Sequence, residues 1–144
     1  MCWYNYAAAT YTANKYGALY NWYAVSDPRS LAPDGWHVPT DIEWTILGNS
    51  LGGKDIAGMK MKNTTLWEDN SNCTDEVGFS GVPSGTRDHG GNFGNLGNSC
   101  FMWSSSEAKT WGAFIRILSL KKELYRGDFG SMKQDGYSVR CIKN

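Results

Sequence analysis

Hydrophobic and polar positions fall into distinct regimes along the chain. From Tyr16 to Val25 aromatic and small apolar residues run almost without interruption, through Leu19, Tyr20, Trp22 and Tyr23 to a break at Asp27-Pro28. That stretch is β-favouring and predicts a strand. After the turn signal Pro33-Asp34-Gly35 the spacing changes. Trp44, Leu47 and Leu51 recur at i, i+3 and i+7, flanked by Ile42 and Ile46, which is the period of an amphipathic helix. Thr40-Asp41-Ile42-Glu43 has the form of a capping box, in which the Thr40 hydroxyl accepts from the Glu43 N–H and Glu43 reaches back to the Thr40 N–H. Asp41 and Glu43 also place negative charge at the positive end of the helix dipole. Gly52-Gly53 supplies the stop.

Beyond that helix the pattern loosens. Ile56, Met59 and Met61 predict a short helical turn followed by an extended piece over 54–62. From Trp67 to Gly97 the chain is rich in Asn, Gly, Asp and Ser, with isolated apolar points at Trp67, Val77, Phe79, Val82, Phe93 and Leu96. A region of that length inside a compact domain predicts a functional or well-pinned loop system. The final third reads as strands over 100–105, 113–120, 124–126 and 137–142. No internal repeat or heptad interrupts the reading, so the whole chain, 1–144, is taken as one domain of α+β class.

Composition narrows the function classes. Fourteen Lys and Arg balance fourteen Asp and Glu, which removes the basic excess expected of a nucleic-acid binder. Seventeen Gly with seven Trp and eight Tyr predict a loop-rich fold in which large rings fill irregular gaps. No apolar run approaches the length of a membrane span. The opening residues lack the basic and apolar regions of a signal peptide, and their direct entry into an aromatic segment is the expectation for a mature fragment of a longer protein.

Cys2, Cys73, Cys100 and Cys141 are scattered, with no C-x-x-C and no Cys/His cluster, which excludes zinc-finger and thioredoxin spacing. Two disulfides or small buried thiols both fit them. The two histidines, His37 and His89, stand in a framework-like Gly-Trp-His-Val-Pro run and in a polar Gly-rich loop. Neither has a nucleophile beside it, and the carboxylates show no recognisable acid/base pair. No cofactor is called for.

Six ordered blocks identify a family. Tyr20 to Val25, Gly35 to Trp44, Gly78-Phe79-Ser80, Pro83 to Arg87, Trp103 to Glu107 and Gly136 to Cys141 resemble the Fibrobacter succinogenes major paralogous domain over nearly the whole chain. The resemblance implies a C-type-lectin-like fold related to the formylglycine-generating enzyme group. It would have a long capped helix, a twisted antiparallel sheet, long Gly/Asn-rich loops and neighbouring termini. It therefore implies a bridge between Cys2 and Cys141. It also implies an extracellular, cell-surface or phage-associated setting, and a binding surface open to diversification by a retroelement. The close cysteine pair of the formylglycine-generating relatives is absent here, which argues against an oxidoreductase acting on peptide Cys, the alternative reading. A structural cell-surface or phage-tip module is a third. Trp67-Glu68-Asp69-Asn70 faintly resembles a calcium-lectin segment, but the partner Glu-Pro-Asn is missing, and Asn and Asp in a loop are turn formers first.

Strand alternation then separates two faces over 114–121. Phe114, Arg116, Leu118 and Leu120 share one, and Ile115, Ile117, Ser119 and Lys121 the other. In the family the Arg116 and Leu118 positions resemble framework, which turns Ile115, Ile117 and Ser119 outward. On the next strand it leaves Tyr125, Gly127, Asp128 and Phe129 displayed. The expectation is a non-enzymatic domain that binds a protein or other surface ligand through this open sheet face, with aromatic anchors. The competing expectation is a sheet buried on both faces, which also reads as near-continuous apolar.

Overall fold

The computed structural model describes residues 1–7, 16–127 and 130–144. After a 3₁₀ turn at Tyr4–Tyr6, its elements in order are a helical turn α1 (Trp22–Val25), β1 (Trp36–His37), α2 (Asp41–Ser50), α3 (Lys54–Met61), β2 (Ser84–Arg87), β3 (Phe93–Leu96), β4 (Ser99–Lys109), β5 (Gly112–Ser119), β6 (Leu124–Arg126), β7 (Ser131–Met132) and β8 (Ile142–Lys143). The main sheet runs β3-β2-β4-β5-β6, with β7 paired to the start of β5, and β1 and β8 form a separate two-stranded ladder. The class is α+β, as expected. The sheet is mixed rather than antiparallel, because β2 and β4 pair in parallel at Gly85 and Cys100.

Helix α2 forms for the reasons its sequence advertises. Thr40 Oγ1 accepts from the Glu43 N–H at 3.2 Å while Glu43 Oε2 accepts from the Thr40 N–H at 2.7 Å, so two otherwise orphaned donors are satisfied. At the other end Gly52 and Gly53 take positive φ, and their N–H groups return to Asn49 O and Gly48 O. That is the glycine-dependent Schellman stop. Trp44 is buried on the inner side, and Ile42 and Ile46 face outward.

The hairpin of β4 and β5 is the centre of the molecule, and both of its faces are covered. On one, Cys100, Met102 and Leu118 pack with Leu124 against Trp44 and Leu51, and against Ala57, Met61 and Trp67. On the other, Trp103, Ala113 and Ile115 pack against Trp22, Val25, Val38 and Tyr137. The alternation read from sequence is present, but the open face it was assigned is not. Ile115 is 2% exposed and belongs to the core, and Ile117 and Ser119 are half-buried. Two segments distant in sequence cause this. Helical turn α1 and the run around Tyr137 lie over the face, and Gly127 approaches so closely that a Cβ there would stand 2.7 Å from Ile115 Cγ1.

Other expectations change for local reasons. Only Leu19 and Tyr20 of the 16–25 stretch pair as bridges, with Cys2 and Tyr137. The chain then turns helical because the Asn21 side chain caps the Ala24 N–H at 3.1 Å. The 54–62 segment is a helix to Met61, and the 67–97 region contains the hairpin of β2 and β3. Buried indole N–H groups find carbonyls throughout: Trp22 on Ser104, Trp44 on Trp103, Trp67 on Gly81 and Trp103 on Tyr20. That is how so many large rings are accommodated.

All four cysteines are free thiols, so the implied Cys2–Cys141 bridge is not formed. The pairing of the termini explains it. Cys2 exchanges backbone hydrogen bonds with Leu19, whereas Ile142, beside Cys141, pairs with His37. Each end of the chain is thus tied to a different part of the framework.

Candidate functional site

Edge strand β6 and the two helices border a cleft of ≈ 870 Å³. Its walls carry Trp44, Thr45 and Asn49 from α2, Lys54 and Asp55 from α3, and Glu123 to Arg126, with Arg116 at its base. Two glycines set its shape. Leu124 Cδ2 lies 3.4 Å from where a Cβ on Gly48 would stand, and Glu123 O lies 2.1 Å from where one on Gly58 would stand. Only a glycine at 58 lets α3 and the β5–β6 turn meet backbone to backbone.

That turn is held almost entirely through its carbonyls. Lys62 Nζ donates to Ser119 O at 2.8 Å and to Lys121 O at 2.6 Å. Asn72 Nδ2 donates to Leu120 O at 3.2 Å, and the Met59 N–H to Lys122 O at 2.9 Å. Four consecutive carbonyls are therefore anchored by donors outside the hairpin. The Lys121 and Lys122 side chains stay in solvent. Lys62 itself is 0% exposed, its ammonium 5.2 Å from the centroid of the Trp67 ring, and burial pushes its pKa down. A buried ammonium of this kind is stable only when its protons are donated, which the two carbonyls accomplish.

The base of the cleft is an ion cluster around Asp41. Arg116, 3% exposed, donates to Asp41 Oδ1 at 2.6 Å, to Asp41 O at 2.9 Å and to Thr45 Oγ1 at 2.9 Å. Arg126 reaches the same carboxylate through Nε and Nη2, at 3.0 and 2.8 Å, with its guanidinium 4.1 Å from the centroid of the Phe114 ring. Burial raises the Asp41 pKa, but the hydrogen bonds from Arg126 and Arg116 outweigh it and hold the carboxyl below its ordinary value. Asp41 thus ties the first turn of α2 to β5 and β6, beyond the dipole role its sequence position indicated.

Of the positions expected to bind, Tyr125 stands at the rim of this cleft, 38% exposed. Ile115 lies in the core, Ile117 and Ser119 are half-buried, and Gly127 is pressed on Ile115. Asp128 and Phe129 lie outside the described residues. Arg126, Lys54 and Asn49 line the cleft without having been singled out in sequence, since an isolated polar residue on a helix or short strand carries no periodic signal. Trp111, in the turn just before β5, and Met132, on the paired strand β7, are exposed elsewhere.

The lectin-like segment and the histidines are also placed. Trp67 is core, and Asp69 Oδ1 accepts from the Ser71 N–H at 2.9 Å, a local turn. Among the described residues no three His, Cys, Asp or Glu side chains gather as a metal site. His37 bridges Asn144 Oδ1 at 2.6 Å and Glu43 Oε1 at 2.8 Å, and both contacts raise its pKa. His89 lies 3.4 Å from Asp135, on the surface. No helix among the described residues is long and apolar enough to cross a membrane.

The profile of the Fibrobacter succinogenes major domain family matches residues 1–143, and the chain belongs to that family. No curated protein and no solved structure matches it.

Proposed function

We propose that this member of the Fibrobacter succinogenes major domain family is a non-enzymatic binding module that presents the rim of the β6 cleft, with Tyr125 as its anchor, to a protein ligand. The observation that carries the reading is the anchored turn. Donors from α3, Lys62 and Asn72 hold the backbone of 119–122, so the side chains that follow on Glu123 and Tyr125 are presented on a rigid support. Preorganised backbone lowers the ordering cost of binding, and a Tyr beside Arg126 has the composition of an interface hot spot. The cleft supplies concavity, with Trp44 and Leu124 among its apolar wall residues.

In this reading the scaffold is C-type-lectin-like, the setting is extracellular, at the cell surface or on a phage, and the tolerant rim positions are those a diversity-generating retroelement would rewrite. The family likeness is what supports those three points. The test is affinity selection of a purified domain against a surface-protein fraction, followed by Tyr125→Ser and, on another surface, Tyr23→Ser. Loss of a selected partner with the first and retention with the second is expected. A partner indifferent to Tyr125→Ser and to Glu123→Lys would defeat the assignment.

A further inference from the structure

Arg87, at the end of β2, has no carboxylate among the described residues within ion-pair distance, whereas Arg29, Arg116 and Arg126 each meet one. Its Nε is buried with no acceptor. Its Nη2 donates to the Tyr6 hydroxyl at 3.3 Å, and its Cζ lies 5.8 Å from the Phe93 ring centroid. A buried donor on a permanent cation without an acceptor is rare in folded proteins and calls for an anion or a water. The base of the side chain is also firmly placed. Arg87 and Gly136 exchange both backbone hydrogen bonds, at 3.0 and 2.6 Å, and a Cβ on Gly136 would stand 3.2 Å from Arg87 Cβ.

A recess of ≈ 270 Å³ opens beside it, bordered by Tyr6, Leu19, Asn21 and Gln134, and no acidic side chain lines it. Asn21 Oδ1 accepts from the Ala24 N–H, which orients the amide and leaves its two Nδ2 protons as donors. Gln134 can turn either end of its amide inward, and the Leu19 side chain provides an apolar wall. We infer that this recess binds a small monocarboxylate, its two oxygens on the Arg87 guanidinium and the Asn21 amide and its short apolar end toward Leu19. The planar fork of a guanidinium matches a carboxylate, and the recess offers cationic and amide donors but no competing carboxylate. The carboxylate can belong to a free short-chain acid or to a peptide C-terminus.

The experiment is a titration of the wild-type chain followed by NMR at the arginine Nε–H signals, with sodium chloride at equal ionic strength as the control. The probes are sodium propionate, acetyl-alanyl-glycine and its C-terminal amide. A saturable shift of one Nε–H signal, assigned to Arg87 by its absence from Arg87→Gln, is expected with propionate or with the peptide acid. Tighter saturation by the peptide acid identifies a chain terminus as the source, and equal or tighter saturation by propionate a free acid. Gln134→Glu brings a competing carboxylate to Arg87 from an exposed position and is expected to weaken binding at least tenfold in a folded domain. Shifts no larger than with chloride, binding of the amide as tight as the acid, or full binding in Gln134→Glu would overturn the assignment.

Discussion

Strands β5 and β6 are neighbours in one sheet, paired from Arg116↔Arg126 to Leu118↔Leu124, yet they have opposite relations to solvent. The two faces of β5 are claimed by different core clusters, Leu118 by one and Ala113 and Ile115 by the other. On β6 only Leu124 is buried, and Tyr125 and Arg126 are exposed. Strand alternation reports which residues share a face, but not what lies over that face. A central strand in this fold is covered twice, and its edge neighbour is free to present side chains because its backbone is fixed by the turn that precedes it.

The largest expected effect is on the strand once expected to be open. Ile115→Asn replaces a buried aliphatic side chain with an amide that has no partner in its cluster, and should cost roughly 4 kcal/mol or more in chemical unfolding. Leu118→Ala, on the other face, should cost about 2–5 kcal/mol by cavity formation. A mild effect at either position would mean that one face of β5 is less well covered than described.

The support of β6 is the next target. Lys62→Met keeps an extended apolar stem but removes the donor to Ser119 O and Lys121 O. The loss should be about 1.5–3 kcal/mol, since the bonds come from a charged group, with amide exchange rising in 119–124. Unchanged exchange there would show that Asn72 and Met59 suffice. Thr40→Ala, which opens the capping box of α2, should cost about 1 kcal/mol by thermal melt.

The smallest expected effect depends on pH. Contacts with Asn144 and then Glu43 raise the His37 pKa in the folded chain. The unfolded histidine has its ordinary value near 6.5, so the stability it contributes is fully present below that and is lost as pH rises through the folded value. The melting midpoint should be slightly higher at pH 6 than at pH 8.5, and His37→Gln should remove its share of that difference. A difference unaltered by the substitution would locate the pH dependence elsewhere.

Local signals made parts of this molecule legible in its sequence. The capping box, the glycine stop and the Trp44 spacing specify α2 within a few turns of chain, and the ordered blocks from Tyr20 to Cys141 identify the family. The candidate surface was legible only in part. Tyr125 is exposed as expected, but Ile115 is covered by residues near Trp22 and Tyr137, a packing decision made by contacts about ninety and twenty positions away. Lys62 illustrates the same limit, because a lysine after Met61 reads as surface until the carbonyls of 119 and 121 are brought to it. The Asn21 cap was visible in principle, as an Asn followed by a short apolar run, but the aromatic content of that run favoured a strand.

Side-by-side equilibrium unfolding of Ile115→Asn and Tyr125→Ser addresses the central claim, that the accessible surface is the rim of β6 and not the face of β5. The account predicts a severely destabilised or unfolded Ile115→Asn, and a Tyr125→Ser within about 0.5 kcal/mol of the parent chain. Comparable stability for the two variants, or a greater loss with Tyr125→Ser, would contradict it.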